Sequence, residues 1–191
     1  MMENKEIRAL ARSNLRGNWS TPLGVVFIYV VIISASAVVG VGPLLITGPL
    51  TLGLYCYFIK KVRGESSKFE NLFEGFHYFG PSLLLYILQT IYITLWTFLF
   101  IIPGVIKSFS YSMSFFILYE NTSINASEAL KQSSQMMNGY KKKLFFLNLS
   151  FFGWVILSIL SLGIGFLWLG PYMYMSLAIF YEELKKNQSA Q

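Results

Sequence analysis

The chain has 191 residues, of which 54% are hydrophobic and 13% charged, and its mean hydropathy is +0.54. A soluble domain carries about 25% charged residues, so this composition excludes an ordinary water-soluble globule and excludes extended disorder. The net charge of +6 comes from 15 Lys and Arg against nine Glu, with no Asp. Its placement at the ends of long apolar runs excludes a nucleic-acid-binding surface as its cause.

No charge occurs over the 39 residues from Thr21 to Ile59, the 32 from Gly75 to Ile106, or the 38 from Leu144 to Tyr181. A membrane-spanning helix takes about 20 apolar residues. The longest runs suit helical hairpins, because unpaired backbone is not tolerated in lipid and the period-two pattern of a membrane barrel is missing.

In chain order, the first element is an amphipathic stretch with Ile7, Leu10, Ala11 and Leu15 on one face and Arg8, Arg12 and Arg16 on another. A membrane helix at about 22–40 follows. The turn Gly40, Gly42, Leu44 leads to Gly48-Pro49, which opens a helix at about 49–63 ending in Lys60-Lys61. The next amphipathic stretch carries Phe69, Leu72, Phe73 and Phe76, with Ser67 and Glu70 spaced as a capping box. Helices at about 82–102 and 104–120 flank Ile102-Pro103-Gly104. The third stretch aligns Ala126, Ala129, Leu130, Ser133 and Met137, with Asn125 and Glu128 as its cap. Helices at about 143–162 and 171–186 follow. They join through Gly163, Gly165, Leu167 and Gly170-Pro171, and the last ends in Lys185-Lys186.

The expected fold is therefore all-α: a polytopic membrane bundle of six helices, arranged as three hairpins, each preceded by a short interfacial helix. One integral membrane domain covers 1–191, with repeats at about 3–63, 66–120 and 125–186, related by an axis along the membrane normal. Lys and Arg cluster at the hairpin bases, which puts both termini in the cytoplasm of a multi-pass cell-membrane protein. The first apolar run is too long for a cleavable signal. The amphipathic helices are expected at headgroup level, apolar side toward lipid, with Arg8, Arg12 and Arg16 facing anionic headgroups.

Candidate chemistry is sparse. One His and one Cys cannot build a metal site alone, and Cys56 lies within an apolar run with no cysteine to pair with. All nine Glu fall outside the apolar spans or at their ends. No catalytic set, metal or cofactor is expected. Lys107 is the exception: a cation in an apolar span, costly at mid-bilayer, with Ser110, Tyr111 and Ser114 on or beside its face. These four are the candidate ligand-lining residues. The competing reading is a snorkelling lysine on a serine-rich helix that packs closely.

Three stretches carry a family resemblance. They are Leu72-Phe73-Glu74-Gly75-Phe76, Ile102-Pro103-Gly104-Val105-Ile106-Lys107-Ser108-Phe109-Ser110-Tyr111-Ser112-Met113, and Met136-Met137-Asn138-Gly139-Tyr140-Lys141. With Phe151-Phe152-Gly153-Trp154, Gly163-Ile164-Gly165 and Pro171-Tyr172, the chain resembles the bacterial membrane family called domain of unknown function 975. The resemblance implies an uncharacterised integral membrane protein, chiefly of Gram-positive bacteria, and supplies no reaction. A distant likeness extends to the non-catalytic membrane domain attached to some glycerophosphodiester phosphodiesterases.

The function expected is non-enzymatic: a small permease or transport accessory handling a small ligand, peptide or lipid. The alternative is a membrane scaffold, immunity or stress protein that binds another membrane component. Expected partners are anionic lipids at the cytoplasmic face and a membrane protein, with no nucleic acid.

Overall fold

A computed structural model describes residues 1–189. Among the described residues the architecture is all-helical. In order come α1 (Asn4–Leu15), α2 (Ser20–Ser36), α3 (Gly42–Val62), a 3-10 segment (Phe69–Tyr78), α4 (Phe79–Leu99), α5 (Ile101–Ser110) and α6 (Ser114–Glu120). Then come α7 (Ala126–Met136), α8 (Lys141–Leu149), α9 (Phe152–Leu160) and α10 (Phe166–Ser189). Five helical stretches are long and apolar enough to cross a membrane: 20–39, 42–62, 69–99, 101–120 and 141–160. α10 is not among them. Its tyrosines and Glu182-Glu183 dilute an otherwise apolar helix.

The amphipathic segments depart from expectation. Ile7, Ala11 and Leu15 of α1 are completely buried, as are Ala129 and Met137 at α7. The innermost apolar residues of these two helices pack on protein, while Leu10 of α1 and Phe69, Phe73 and Phe76 of the middle segment stay exposed. Each segment packs on a hairpin other than the one it precedes. α1 lies on α10 and α8, the 3-10 segment on α3 and α2, and α7 on α4 and α6. The three contacts close a ring: third hairpin to first segment, first to second, second to third.

The middle segment is 3-10 rather than α-helical, and sequence spacing read it with the wrong period. Three residues per turn align Phe73, Phe76 and Phe79 on one ridge, with a rise of about 6 Å per turn. Successive ring centroids there are 6.4 Å apart. Behind the ridge, backbone meets backbone: a Cβ at Gly53 would strike the carbonyl oxygen of Leu72, and one at Gly75 that of Pro49. Only glycine permits this crossing. The cap also lies one residue later than Ser67 and Glu70 suggest, with the Lys68 N–H donating to Asn71 Oδ1 at 2.6 Å. The Asn125 cap is as expected, accepting from the Glu128 N–H at 2.8 Å.

Two helices expected to be continuous are interrupted. α5 and α6 part at Tyr111–Met113 because Ser133 of α7 inserts into the ladder, donating to the Ser110 carbonyl at 2.8 Å and accepting from the Met113 N–H at 3.1 Å. α8 and α9 part at Ser150, whose carbonyl accepts from Arg8 of α1 at 3.5 Å. Conversely, Pro49 and Pro171 do not open helices. α3 and α10 begin upstream and carry each proline internally. In an apolar setting, helical backbone upstream of the proline costs less than unpaired backbone.

The core lies at the hairpin bases. Tyr55 of α3, Phe116 of α6 and Tyr181 of α10 form a column, with centroids 4.4 and 4.8 Å apart. Each hairpin contributes one ring. Leu50, Leu54, Tyr57 and Met175 around it are fully buried, whereas Val38, Phe98 and Leu162 at the three caps are 90%, 88% and 94% exposed.

Candidate functional site

The Lys107 face is closed by its own helix. Ser110 Oγ donates to the Ile106 carbonyl at 2.9 Å and Ser114 Oγ to that of Tyr111 at 2.7 Å, with Gln89 Oε1 3.1 Å from Ser114. Ser110 and Ser114 are fully buried, and Tyr111 nearly so beside Tyr92. Lys107 itself is partly exposed, its Nζ 5.1 Å from the Trp96 ring centroid and 5.7 Å from that of Tyr111. This is a cation on aromatic faces. The four residues are neighbours, as their spacing requires, but the two serine hydroxyls meet backbone, and only Tyr111 of the four lines a cavity, one of about 540 Å³ shared with Tyr92, Lys131 and Lys141.

The arginines of α1 divide. Arg16 is exposed. Arg8 reaches the α8–α9 break, and its Nε is buried without a partner. Arg12 lies at a cavity of about 400 Å³ between α1, α9 and α10, within the size range of ligand pockets. Trp19, Trp154, Trp168 and Leu157 line it. Its serines are spent on backbone: Ser158 donates to the Trp154 carbonyl and Ser161 to that of Ser158. The walls are therefore apolar and the cation stands at their edge. Tyr172 orients Arg12, with its hydroxyl 3.4 Å from Nη2 and its ring 5.6 Å from the guanidinium carbon, and it donates in turn to the Arg8 carbonyl at 3.3 Å. Among the described residues no carboxylate pairs with Arg12.

A second polar cluster escaped sequence reasoning. At the base, Glu74 receives Lys60 Nζ at 2.7 Å, Cys56 Sγ at 2.8 Å and the Asn71 amide. Beside it Glu120 accepts from Arg63, from Lys185 at 2.8 Å and from the Tyr181 hydroxyl at 2.7 Å, and Arg63 also holds Glu182 at 2.7 Å. Burial alone would lower the Arg63 pKa, but its bonds to Glu120 and Glu182 outweigh burial and hold it above the ordinary value. Three carboxylates meet three cations, which leaves no net charge to recruit an ion. The available signal was Glu74 within Leu72-Phe73-Glu74-Gly75-Phe76; nothing local marked Glu120.

No curated protein and no solved structure matches the chain. One family model matches residues 1–107 and again 99–188, together nearly the whole chain. The chain belongs to that family, the proteins of unknown function designated DUF975.

Proposed function

We propose that the protein is a non-enzymatic membrane protein whose six apolar helices form three hairpins entering the membrane from the cytoplasmic side. Its activity is to hold an anionic lipid of that leaflet, as an accessory to the movement or presentation of that lipid. One observation carries this reading: an apolar, tryptophan-lined cavity with an arginine at its edge that has no carboxylate partner. An amphiphile with one negative head matches both parts. The acyl chain takes up apolar wall, and the head supplies the charge that Arg12 lacks. Tryptophan suits such a boundary, being apolar in body with a polar N–H.

The test is native mass spectrometry of protein extracted from membranes with mild detergent. The wild type is expected to retain one anionic phospholipid, and Arg12→Gln to lose it, while Lys107→Met keeps it. Equal retention in Arg12→Gln contradicts the assignment. No lipid in either, together with a stoichiometric co-purifying membrane protein, establishes the scaffold alternative.

A further inference from the structure

The turn from α7 to α8 has no part in the Arg12 cavity. Gly139 takes φ of 80° there, a left-handed backbone that glycine adopts without strain. The chain bends, and Asn138 and Lys141 on either side of the bend reach one cavity, the one of about 540 Å³ that Tyr111 and Tyr92 line. Ser127, Ser134 and Gln135 of α7 supply more of its wall. Serines at the other candidate sites are spent on backbone, as Ser110, Ser114, Ser158 and Ser161 are. Here they are free. Among the described residues, the side-chain hydrogen bonds of α7 and its cap belong to Asn125, Glu128 with Gln132, and Ser133. The side chains of Ser127, Ser134, Gln135 and Asn138 make none, although each lines the cavity.

A second cavity, of about 350 Å³, lies along α5 and α8. Ile102, Val105, Ile106 and Phe109 of α5 face Phe145 of α8 across it, and Phe109 and Phe145 meet edge to face with centroids 6.0 Å apart. At about 100° per residue, this face of α5 points away from Lys107. Lys141 lines both cavities, and Lys142 the apolar one. Among the described residues neither lysine has a carboxylate partner. The polar cavity's other lysine, Lys131, has Glu128 at 3.8 Å. The local charge is positive, unlike the balanced cluster at Glu74 and Glu120. Three environments are thus joined: an apolar groove, an unpaired cation, and a polar cavity with free donors and acceptors. A phospholipid is built in the same order, as acyl chain, phosphodiester and head alcohol. A choline head brings a second cation to the lysines and no hydroxyl to the serines.

We propose that these two cavities form a second lipid site, selective for an anionic phospholipid whose head alcohol carries free hydroxyls. An acyl chain lies against Val105, Ile106 and Phe145. Lys141 meets the phosphate, a charge-assisted contact. Ser134 and Asn138 bond the head hydroxyls, and the rings of Tyr92 and Tyr111 wall the head in. Basic pockets between membrane helices suit such heads. The Arg12 cavity reads charge alone, because its serines are spent; this site reads charge and hydroxyls together. It stands whether or not the Arg12 cavity takes a lipid.

The test uses Arg12→Gln protein, so that this site alone is read. Lys131, Gln135 and Asn138 are exposed, so lipid here exchanges with detergent and the site is filled by adding lipid back. Native mass spectrometry follows the titration of three probes. These are phosphatidylglycerol, phosphatidylethanol (the same phosphodiester charge with no head hydroxyl) and phosphatidylcholine. One phosphatidylglycerol is expected to bind about tenfold more tightly than phosphatidylethanol, the worth of one or two hydrogen bonds, and phosphatidylcholine more weakly than either. Ser134→Ala combined with Asn138→Ala is expected to erase the preference and leave phosphatidylethanol binding unchanged, which also shows that the variant is folded. Lys141→Met is expected to weaken both anionic lipids about tenfold. Equal affinity for phosphatidylglycerol and phosphatidylethanol overturns the proposal, as does a preference that survives the double substitution or binding unchanged by Lys141→Met. So does a deacylated phosphatidylglycerol head that binds as tightly as the lipid, since the apolar groove then contributes nothing.

Discussion

The base and the caps of this molecule are made of the same residue types in opposite roles. At the base, Tyr55, Phe116 and Tyr181 pack ring on ring across α3, α6 and α10 beside a shell of ion pairs. At the caps, Val38, Phe98 and Leu162 touch almost nothing of the protein. Their apolar residues alone do not separate these regions. What separates them is the company kept: the base is covered by amphipathic segments and the caps are left exposed. The base therefore holds the fold, and the caps present bare apolar surface.

Substitutions should respect that division. The largest effect is expected of Gly75→Leu, which forces a side chain into the backbone of α3. Overpacking of a close crossing costs about 1–3 kcal/mol, occasionally more, and here the obstacle is main chain that cannot swing away. We expect loss of the folded protein, read as aggregation on size-exclusion chromatography in detergent.

Ser133→Ala should come next. It strips partners from the Ser110 carbonyl and the Met113 N–H, both within buried surroundings. Each orphaned group costs about 1–3 kcal/mol, a loss visible as a lower melting temperature in detergent. Arg63→Met should cost less, about 1 kcal/mol, because the pairs are part-exposed and Lys185 still serves Glu120. At the other end, Lys107→Met should shift stability by less than about 0.5 kcal/mol, since the lysine has only aromatic faces to lose. A large loss there would break the comparison by giving the cap side a structural role.

Much of the architecture was legible in the residues. Charge-free runs located apolar helices, five of whose stretches are long enough to cross a membrane, and Gly40 and Gly163 do turn with φ of 70° and 88°. The interruptions of two helices were not legible, because their causes are remote in sequence: Ser133 reaches back 23 residues to Ser110, and Arg8 forward 142 to Ser150. The partners of the amphipathic faces were hidden for the same reason. A helix with an apolar stripe reads alike whether it meets lipid or a neighbouring hairpin. Arg12 stood out in the sequence as one of three arginines on a face of α1, but its cavity needs Trp19, Trp154 and Trp168 from three separate elements or links. Lys107 drew attention because it is alone in an apolar span, and isolation in sequence says nothing about whether its neighbours' hydroxyls are free.

The lipid assignment is tested most directly by tryptophan fluorescence in nanodiscs, since three of the four tryptophans line the Arg12 cavity. Brominated anionic lipid should quench more than brominated zwitterionic lipid at equal mole fraction, and Arg12→Gln should abolish that excess. Equal quenching by both lipids in the wild type, or an excess that survives Arg12→Gln, would contradict the account.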